Sequence, residues 1–171
     1  MNSHTAPSSR EIDMMRHQAQ MAHQVVHLNV DGLTQEETLI QPRPGGNCLN
    51  WVVGHLLAIY HNTLPLLNQE PVLPASVLQR YDRGSMPIRN AADAMDISVL
   101  LAAWDECCKR IDAGLAALPI DTLDAPAPMS PTNNPDETIG SLLNTVCWHQ
   151  AYHVGQTGIL RRLADKPGAI K

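Results

Sequence analysis

The hydrophobic residues of this chain recur at intervals of three and four, which places them on one face of an α-helix. Four stretches follow this pattern, and no stretch alternates apolar and polar residues as a half-buried strand does. The pattern therefore predicts an all-α fold with four main helices in a single domain. We expect the helices near residues 9–31, 47–67, 90–118 and 134–163, and we expect residues 1–8 to be a frayed tail.

Local signals mark the ends of these helices. Gly32 permits the left-handed backbone that ends the first helix, and Asn47 can cap the start of the second. Asn90 can cap the third helix, and Asn134 followed by Pro135 is typical of a first helical turn. These signals give the predicted boundaries.

The face of the last predicted helix combines apolar and polar residues. It consists of Ile139, Leu142, Val146, His149, His153, Gln156, Leu160 and Leu163. An unpaired buried polar group costs about 1–3 kcal/mol, so two imidazoles and an amide on a core face need partners. Histidines four residues apart point the same way and can bind one divalent ion together. The sequence therefore allows either a metal site in the core or histidines that hydrogen-bond to neighbouring helices.

Further histidines lie on two other predicted helices. His55 lies beside the apolar stripe of the second helix and can point inward, whereas we expect His61 to point outward. Trp51, one turn before His55, is expected to pack in the core. His23 and His27 lie at the edge of the buried stripe of the first helix. We expect this pair to be solvated or interfacial, since it would bind metal only if further ligands met it.

Composition excludes several classes of function. The net charge is −5, and no basic cluster is longer than the pair at 161–162, so binding to nucleic acid is not expected. No apolar run approaches the roughly 20 residues that span a bilayer. The four cysteines show no C-x-x-C spacing, and the chain does not start like a signal sequence. We therefore expect reduced thiols and a cytoplasmic protein.

Residues 68–89 form a predicted connection that is rich in Pro, Arg and Gly. A connection of about 20 residues with little periodicity is unusual in a compact domain and is often functional. Two interpretations are open: a segment that covers the mouth of a site, or a plain surface crossover. Arg80, Arg83 and Arg89, together with Arg43 on an earlier loop, could contact the carboxylates of a substrate.

Two motifs resemble the DinB/YfiT-like superfamily of metalloenzymes. They are N-W-V-V-G-H-L-L at 50–57 and W-H-Q-A-Y-H-V-G-Q-T-G-I-L-R-R-L at 148–163, and the similarity extends over all four predicted helices. The resemblance implies an up-and-down four-helix bundle that holds one divalent metal through His55, His149 and His153. It also implies frequent homodimers. Characterised branches include metal-dependent transferases and isomerases that use low-molecular-weight thiols such as bacillithiol, mycothiol or glutathione.

Three neutral imidazoles would leave coordination positions open, as in a catalytic metal site. Zn²⁺ or Ni²⁺ are the first candidates, and Fe²⁺ and Mn²⁺ also accept imidazole. The open position could hold water for hydrolysis or a thiol for transfer. Gln156, Tyr152 and Trp51 are candidates for residues that support the ligands. Hydrolysis normally needs a carboxylate base, but no acid lies within a turn of either histidine in the last motif, and we expect Glu106 to be solvated.

The sequence therefore favours a metal-dependent enzyme that acts on a small-molecule substrate, with a preference for a thiol-dependent S-transferase or isomerase. A metal-dependent hydrolase and a non-catalytic metal-binding stress-response module are the alternatives. A purely structural helical bundle is the simplest possibility.

Overall fold

The computed structural model describes residues 9–88 and 90–170, and in this part of the chain it is all-helical with no strand. The predicted all-α fold is confirmed. The four long helices are α1 (Ser9–Val30), α3 (Leu49–Thr63), α5 (Ile97–Ala117) and α6 (Ile139–Leu163). Two short helices, α2 (Gln35–Thr38) and α4 (Ala75–Leu78), lie in the connections. None of the described helices is long and apolar enough to cross a membrane. The predictions for the tail and for Arg89 fall outside the described residues.

Helix α3 begins at Leu49 after Cys48, so Asn47 is not its cap as predicted. Two other long helices begin several residues later than predicted. Helix α5 is capped by Asp96 and not by Asn90, because the Asp96 carboxylate accepts a hydrogen bond from the first turn of the helix. Helix α6 is capped by Thr138 and not by Asn134, because Thr138 forms a capping box with the first turn. In both cases the chain holds a second capping residue nearer to the apolar stretch, and that residue begins the helix.

Helices α1 and α5 run in opposite directions. Arg16, early in α1, pairs with Asp112, late in α5. His27, late in α1, contacts Asp105, which lies earlier in α5. The contacts therefore pair the start of one helix with the end of the other.

Helices α3 and α5 run in the same direction. Asn50, at the start of α3, donates a hydrogen bond to the carbonyl of Met95, just before α5. Further along both helices, the Tyr60 ring stacks on Trp104 at 5.2 Å between centroids. The two helices are therefore parallel.

Helices α1 and α6 are also parallel. Met15 of α1 lies at one cavity with Ser141, near the start of α6. Asn29, at the end of α1, donates a hydrogen bond of 2.8 Å to the hydroxyl of Thr157. The four long helices thus run up, down, down and up. This order differs from the up-and-down order that the resemblance implied.

The parallel arrangement of α3 and α5 explains the long connection between them, because the chain must return along the bundle before α5 can begin. The described residues 68–88 and 90–96 belong to this crossover, and its short helices at 75–81 pack against α3. His61 is buried, not outward as predicted, because the crossover covers it and its Nε2 donates to the carbonyl of Leu73 at 2.8 Å. The crossover also brings Arg83 and Gly84 to the edge of a cavity, and the choice between the two interpretations of this segment stays a prediction.

The predicted and observed buried faces of α6 share Leu142 and Leu160. Between them the buried stripe is Leu143, Cys147, Gln150, Val154 and Thr157, so its centre is rotated from the predicted one. Gln150 is 1 % exposed and donates to the carbonyl of Leu56 at 3.0 Å. Each of these residues lies one position after a predicted core residue, which is a rotation of about 100°. His149, His153 and Gln156 therefore lie at the edge of the core, where they are only half-buried.

The ion pair between Arg16 and Asp112 makes stability sensitive to acid. The guanidinium donates two hydrogen bonds, of 2.9 and 3.0 Å, and lowers the pKa of Asp112 below its ordinary value of 3.8. A lowered pKa means that the folded chain binds this proton less readily than the unfolded chain. The contribution to stability is therefore present above pH 3.8 and is lost as the pH falls through the folded pKa.

We expect Asp112→Asn to lower the urea midpoint of unfolding at pH 7, and we expect this difference from the parent to be smaller at about pH 2. Circular dichroism at both pH values measures the two midpoints. Asp121→Asn, at an exposed carboxylate outside the pair, is the matched control and should change neither midpoint. An equal loss at both pH values would show that the ion pair is not the cause.

Candidate metal centre

Helices α3 and α6 bring three histidines together at the edge of the core. His55 projects from α3, and His149 and His153 project from α6. The candidate ligand atoms of the three rings all lie within 4.8 Å of one another. These are the three histidines that the sequence pattern and the resemblance select. The group could therefore hold a metal ion.

His55 is held in one orientation by the crossover. Its Nδ1 donates a hydrogen bond of 2.7 Å to the carbonyl of Tyr81, and a carbonyl can only accept, so Nδ1 carries the proton. The lone pair of Nε2 then points toward His149, whose Nε2 is 3.3 Å away. Two nitrogens bound to one tetrahedral metal at about 2.1 Å would be roughly 3.4 Å apart. The spacing therefore fits a shared ion.

The two histidines of α6 differ in their support. Nδ1 of His153 donates to the side-chain carbonyl of Gln156 at 2.8 Å, which leaves Nε2 of His153 free as a ligand. Gln156 thus orients a histidine of its own helix and does not reach α3 or a loop. Nε2 of His149 donates to the unprotonated Nε2 of His55 at 3.3 Å, and the buried Nδ1 of His149 has no hydrogen-bond partner among the described residues.

Burial keeps the three imidazoles neutral. It is the largest cause that lowers the pKa of His55, His149 and His153. The neighbouring His153 and His55 lower the pKa of His149 further, to about 4. A neutral imidazole has the free lone pair that a metal needs, so the chemistry of this donor set fits a divalent ion near neutral pH.

The glycine of the N-W-V-V-G-H-L-L motif has a steric role. A Cβ at Gly54 would lie 2.2 Å from the ring of Tyr81, so only glycine lets this ring pack against α3. The Tyr81 hydroxyl donates to Asn50 Oδ1 at 3.1 Å and accepts from the backbone N–H of Met95 at 2.9 Å. Close packing at Gly54 therefore brings the Tyr81 carbonyl within reach of His55.

Aromatic side chains cover the histidines on two sides. Trp51 is buried, as expected, and stacks on His55 at 4.7 Å with an interplanar angle of 17°. Tyr152 meets the His153 ring edge-on at 5.1 Å and stacks with Trp148 at 5.8 Å. Trp148 is 65 % exposed and was not selected from the sequence, because it lies outside the apolar stripe of its helix.

A cavity of about 740 Å³ opens over the three rings. Its walls come from the loop at 42–47, helix α3, the crossover, residues 131–132 and one side of α6. Among the described residues that line it, Arg83 is the only one with a permanently charged side chain, and none is an acid. Of the other candidate arginines, Arg80 pairs with Asp93 inside the crossover, with 3.7 Å between Nη2 and Oδ2. Arg43 does not line the cavity.

The other reactive groups of the chain are kept away from this cavity. All four cysteines are buried, and burial raises the pKa of Cys107 to about 12 and that of Cys147 to about 11. These thiols are therefore protonated near neutral pH and poorly nucleophilic. Glu106 pairs with Arg110 at 2.8 Å on the surface of α5, so it cannot serve as a base beside the histidines.

Comparison with known proteins places the chain in a family. The sequence model of the DinB superfamily matches residues 18–157. The chain belongs to the DinB superfamily. A crystal structure described as a conserved protein from Enterococcus faecalis is similar over 90 % of this chain and 96 % of that chain, with a TM-score of 0.68. The two sequences are 16 % identical, so this similarity shows the fold alone. None of the curated proteins compared with the chain matches it.

We expect Gly54→Ala to separate Tyr81 from α3 and to remove the partner of His55 Nδ1. Overpacking of this kind destabilises a protein by about 1–3 kcal/mol, which urea unfolding would measure. Gly155→Ala is the matched control, since a Cβ at this exposed position of α6 meets nothing within 4 Å. It should raise the free energy of unfolding by about 0.5–1 kcal/mol. Equal effects of the two variants would contradict the steric role of Gly54.

Proposed function

We propose that this DinB superfamily protein binds one divalent metal ion through His55, His149 and His153 and acts on a small molecule there. The observation that carries the proposal is the convergence of three neutral imidazoles at the floor of a cavity. Zn²⁺ or Ni²⁺ suits these ligands, and Fe²⁺ and Mn²⁺ are the alternatives. The cavity volume of about 740 Å³ lies in the usual range for small-molecule sites.

The residues around the histidines prepare them to act as ligands. The Tyr81 carbonyl accepts a hydrogen bond from Nδ1 of His55, and Gln156 accepts one from Nδ1 of His153. Both rings therefore direct Nε2 inward without rearrangement. Such outer partners commonly change metal affinity by about 10–100-fold. When bound, a divalent ion would supply a Lewis acid that lowers the pKa of a coordinated water or thiol.

Thiol-dependent transfer or isomerisation fits the cavity better than hydrolysis does. Activation of water normally uses a carboxylate base, and the described lining contains none. The cysteines of the chain are buried, so the reacting thiol would come from a small molecule. Arg83 is placed to bind a carboxylate of that molecule, and Trp148 and Ile159 offer apolar surface for an electrophile.

The homodimer and the cytoplasmic location expected from the sequence stay predictions. Sedimentation velocity of the purified chain would measure its oligomeric state.

The metal-binding part of the proposal predicts that the parent binds more metal than a variant without the two histidines of α6. We expect His149→Ala/His153→Ala to lose about one equivalent of Zn²⁺ or Ni²⁺ per chain relative to the parent in equilibrium dialysis with elemental analysis. His17→Ala is the control, because His17 is an exposed histidine of α1 far along the chain from this group. The protein should be purified without a His tag.

Thermal unfolding provides a second measurement of the same site. A ligand that binds only the folded chain raises its melting temperature, so added metal should stabilise the parent more than the double variant. If both proteins bind equal metal and gain equal stability, the three histidines are structural and the proposal is wrong.

The thiol-dependent part predicts a specific role for Arg83. In an assay that couples glutathione to an aromatic electrophile, we expect Arg83→Gln to raise the KM for the thiol by about tenfold with little change in kcat, because a charge-assisted hydrogen bond is lost. Arg43→Gln, at an exposed arginine outside the cavity lining, should leave KM unchanged. Turnover of esters without any thiol would instead favour the hydrolase alternative.

A further inference from the structure

A second group of ligand atoms lies between α1 and α5, which are not the helices that carry the first group. His23 and His27, four residues apart on α1, both direct Nε2 to the same oxygen of Asp105 on α5. The two distances to Asp105 Oδ1 are 2.7 and 2.5 Å. The candidate ligand atoms of these three side chains all lie within 4.8 Å of one another. The sequence alone left this histidine pair without a further ligand, and Asp105 supplies it.

The present contacts are hydrogen bonds that an ion could replace with little movement. A carboxylate oxygen can only accept, so Nε2 of each ring donates to Asp105 and carries a proton. Donor atoms around one transition-metal ion at about 2.1 Å would be roughly 3.0–3.4 Å apart. The contacts of 2.5 and 2.7 Å would therefore open by about 0.3–0.9 Å. The two rings are 4.9 Å apart and nearly perpendicular, so neither ring blocks the other.

We propose that His23, His27 and Asp105 form a second site for a divalent transition-metal ion, which would link α1 to α5. Two imidazoles and one carboxylate are a donor set that suits Zn²⁺, Ni²⁺ and Fe²⁺. This site shares no residue with the first group, so it does not depend on the function proposed above.

Access and charge are both favourable for this site. The side chains of His23, His27 and Asp105 are 34 %, 39 % and 50 % exposed, so an ion can enter from solvent and water can complete its coordination. On binding, each ring would release its Nε2 proton to water and carry one proton on Nδ1, and Asp105 contributes the negative charge.

The test counts Zn²⁺ in a chain that lacks the first group. In His149→Ala/His153→Ala, we expect equilibrium dialysis to find about one Zn²⁺ per chain, and we expect the further change His23→Ala/His27→Ala to remove it. His17→Ala in the same background is the matched control, because His17 is on α1 but outside the cluster, and it should retain the ion. Circular dichroism confirms that each variant is folded.

A second variant separates metal binding from hydrogen bonding. Asp105→Asn keeps an oxygen that can accept from both histidines but removes the charge, so the metal-free chain should stay folded with a melting temperature only somewhat below that of the parent. We expect its Zn²⁺ affinity to fall by at least about tenfold, the lower end of the loss seen when a metal site loses a supporting group. Unchanged Zn²⁺ binding in Asp105→Asn, or in the chain without His23 and His27, would overturn the proposal and leave the cluster as a hydrogen-bonded link between helices.

Discussion

The hydrogen bond from His55 Nδ1 to the Tyr81 carbonyl joins the helical core, the long crossover and the candidate metal centre. It satisfies a buried imidazole that would otherwise lose its water without compensation, and it directs Nε2 toward the histidines of α6. It forms only because Gly54 has no side chain, so that the Tyr81 ring can lie directly against α3. The glycine, the tyrosine and the histidine therefore act as one unit.

The directions of the helices explain why that unit exists. Because α3 and α5 are parallel, the chain between them has to travel back along the bundle, and this segment packs against the part of α3 that α5 and α6 leave uncovered. It buries His61, supplies the Tyr81 carbonyl and carries Arg83 to the cavity. A connection that looks irregular in sequence is thus part of the site.

Two histidine pairs with the same spacing have different environments. His149 and His153 are half-buried beside His55, so burial lowers their pKa values and keeps the rings neutral. His23 and His27 are also half-buried but meet a carboxylate that is 50 % exposed, which gives a harder and more solvated set of donors. The spacing of four alone therefore indicates only that two rings share a face. The neighbouring helix decides what a pair can bind.

The sequence by itself determined the all-α fold, the approximate helices and the choice of His55, His149 and His153, because the three-and-four periodicity is a local property of the chain. Only the tertiary structure decided the up, down, down, up order, the rotation of α6 that buries Gln150, and the meeting of Asp105 with His23 and His27. These features depend on contacts between residues distant in sequence, such as Gly54 with Tyr81. Packing between helices therefore determined which polar side chains meet, since local periodicity places a side chain on a face but does not select its partner.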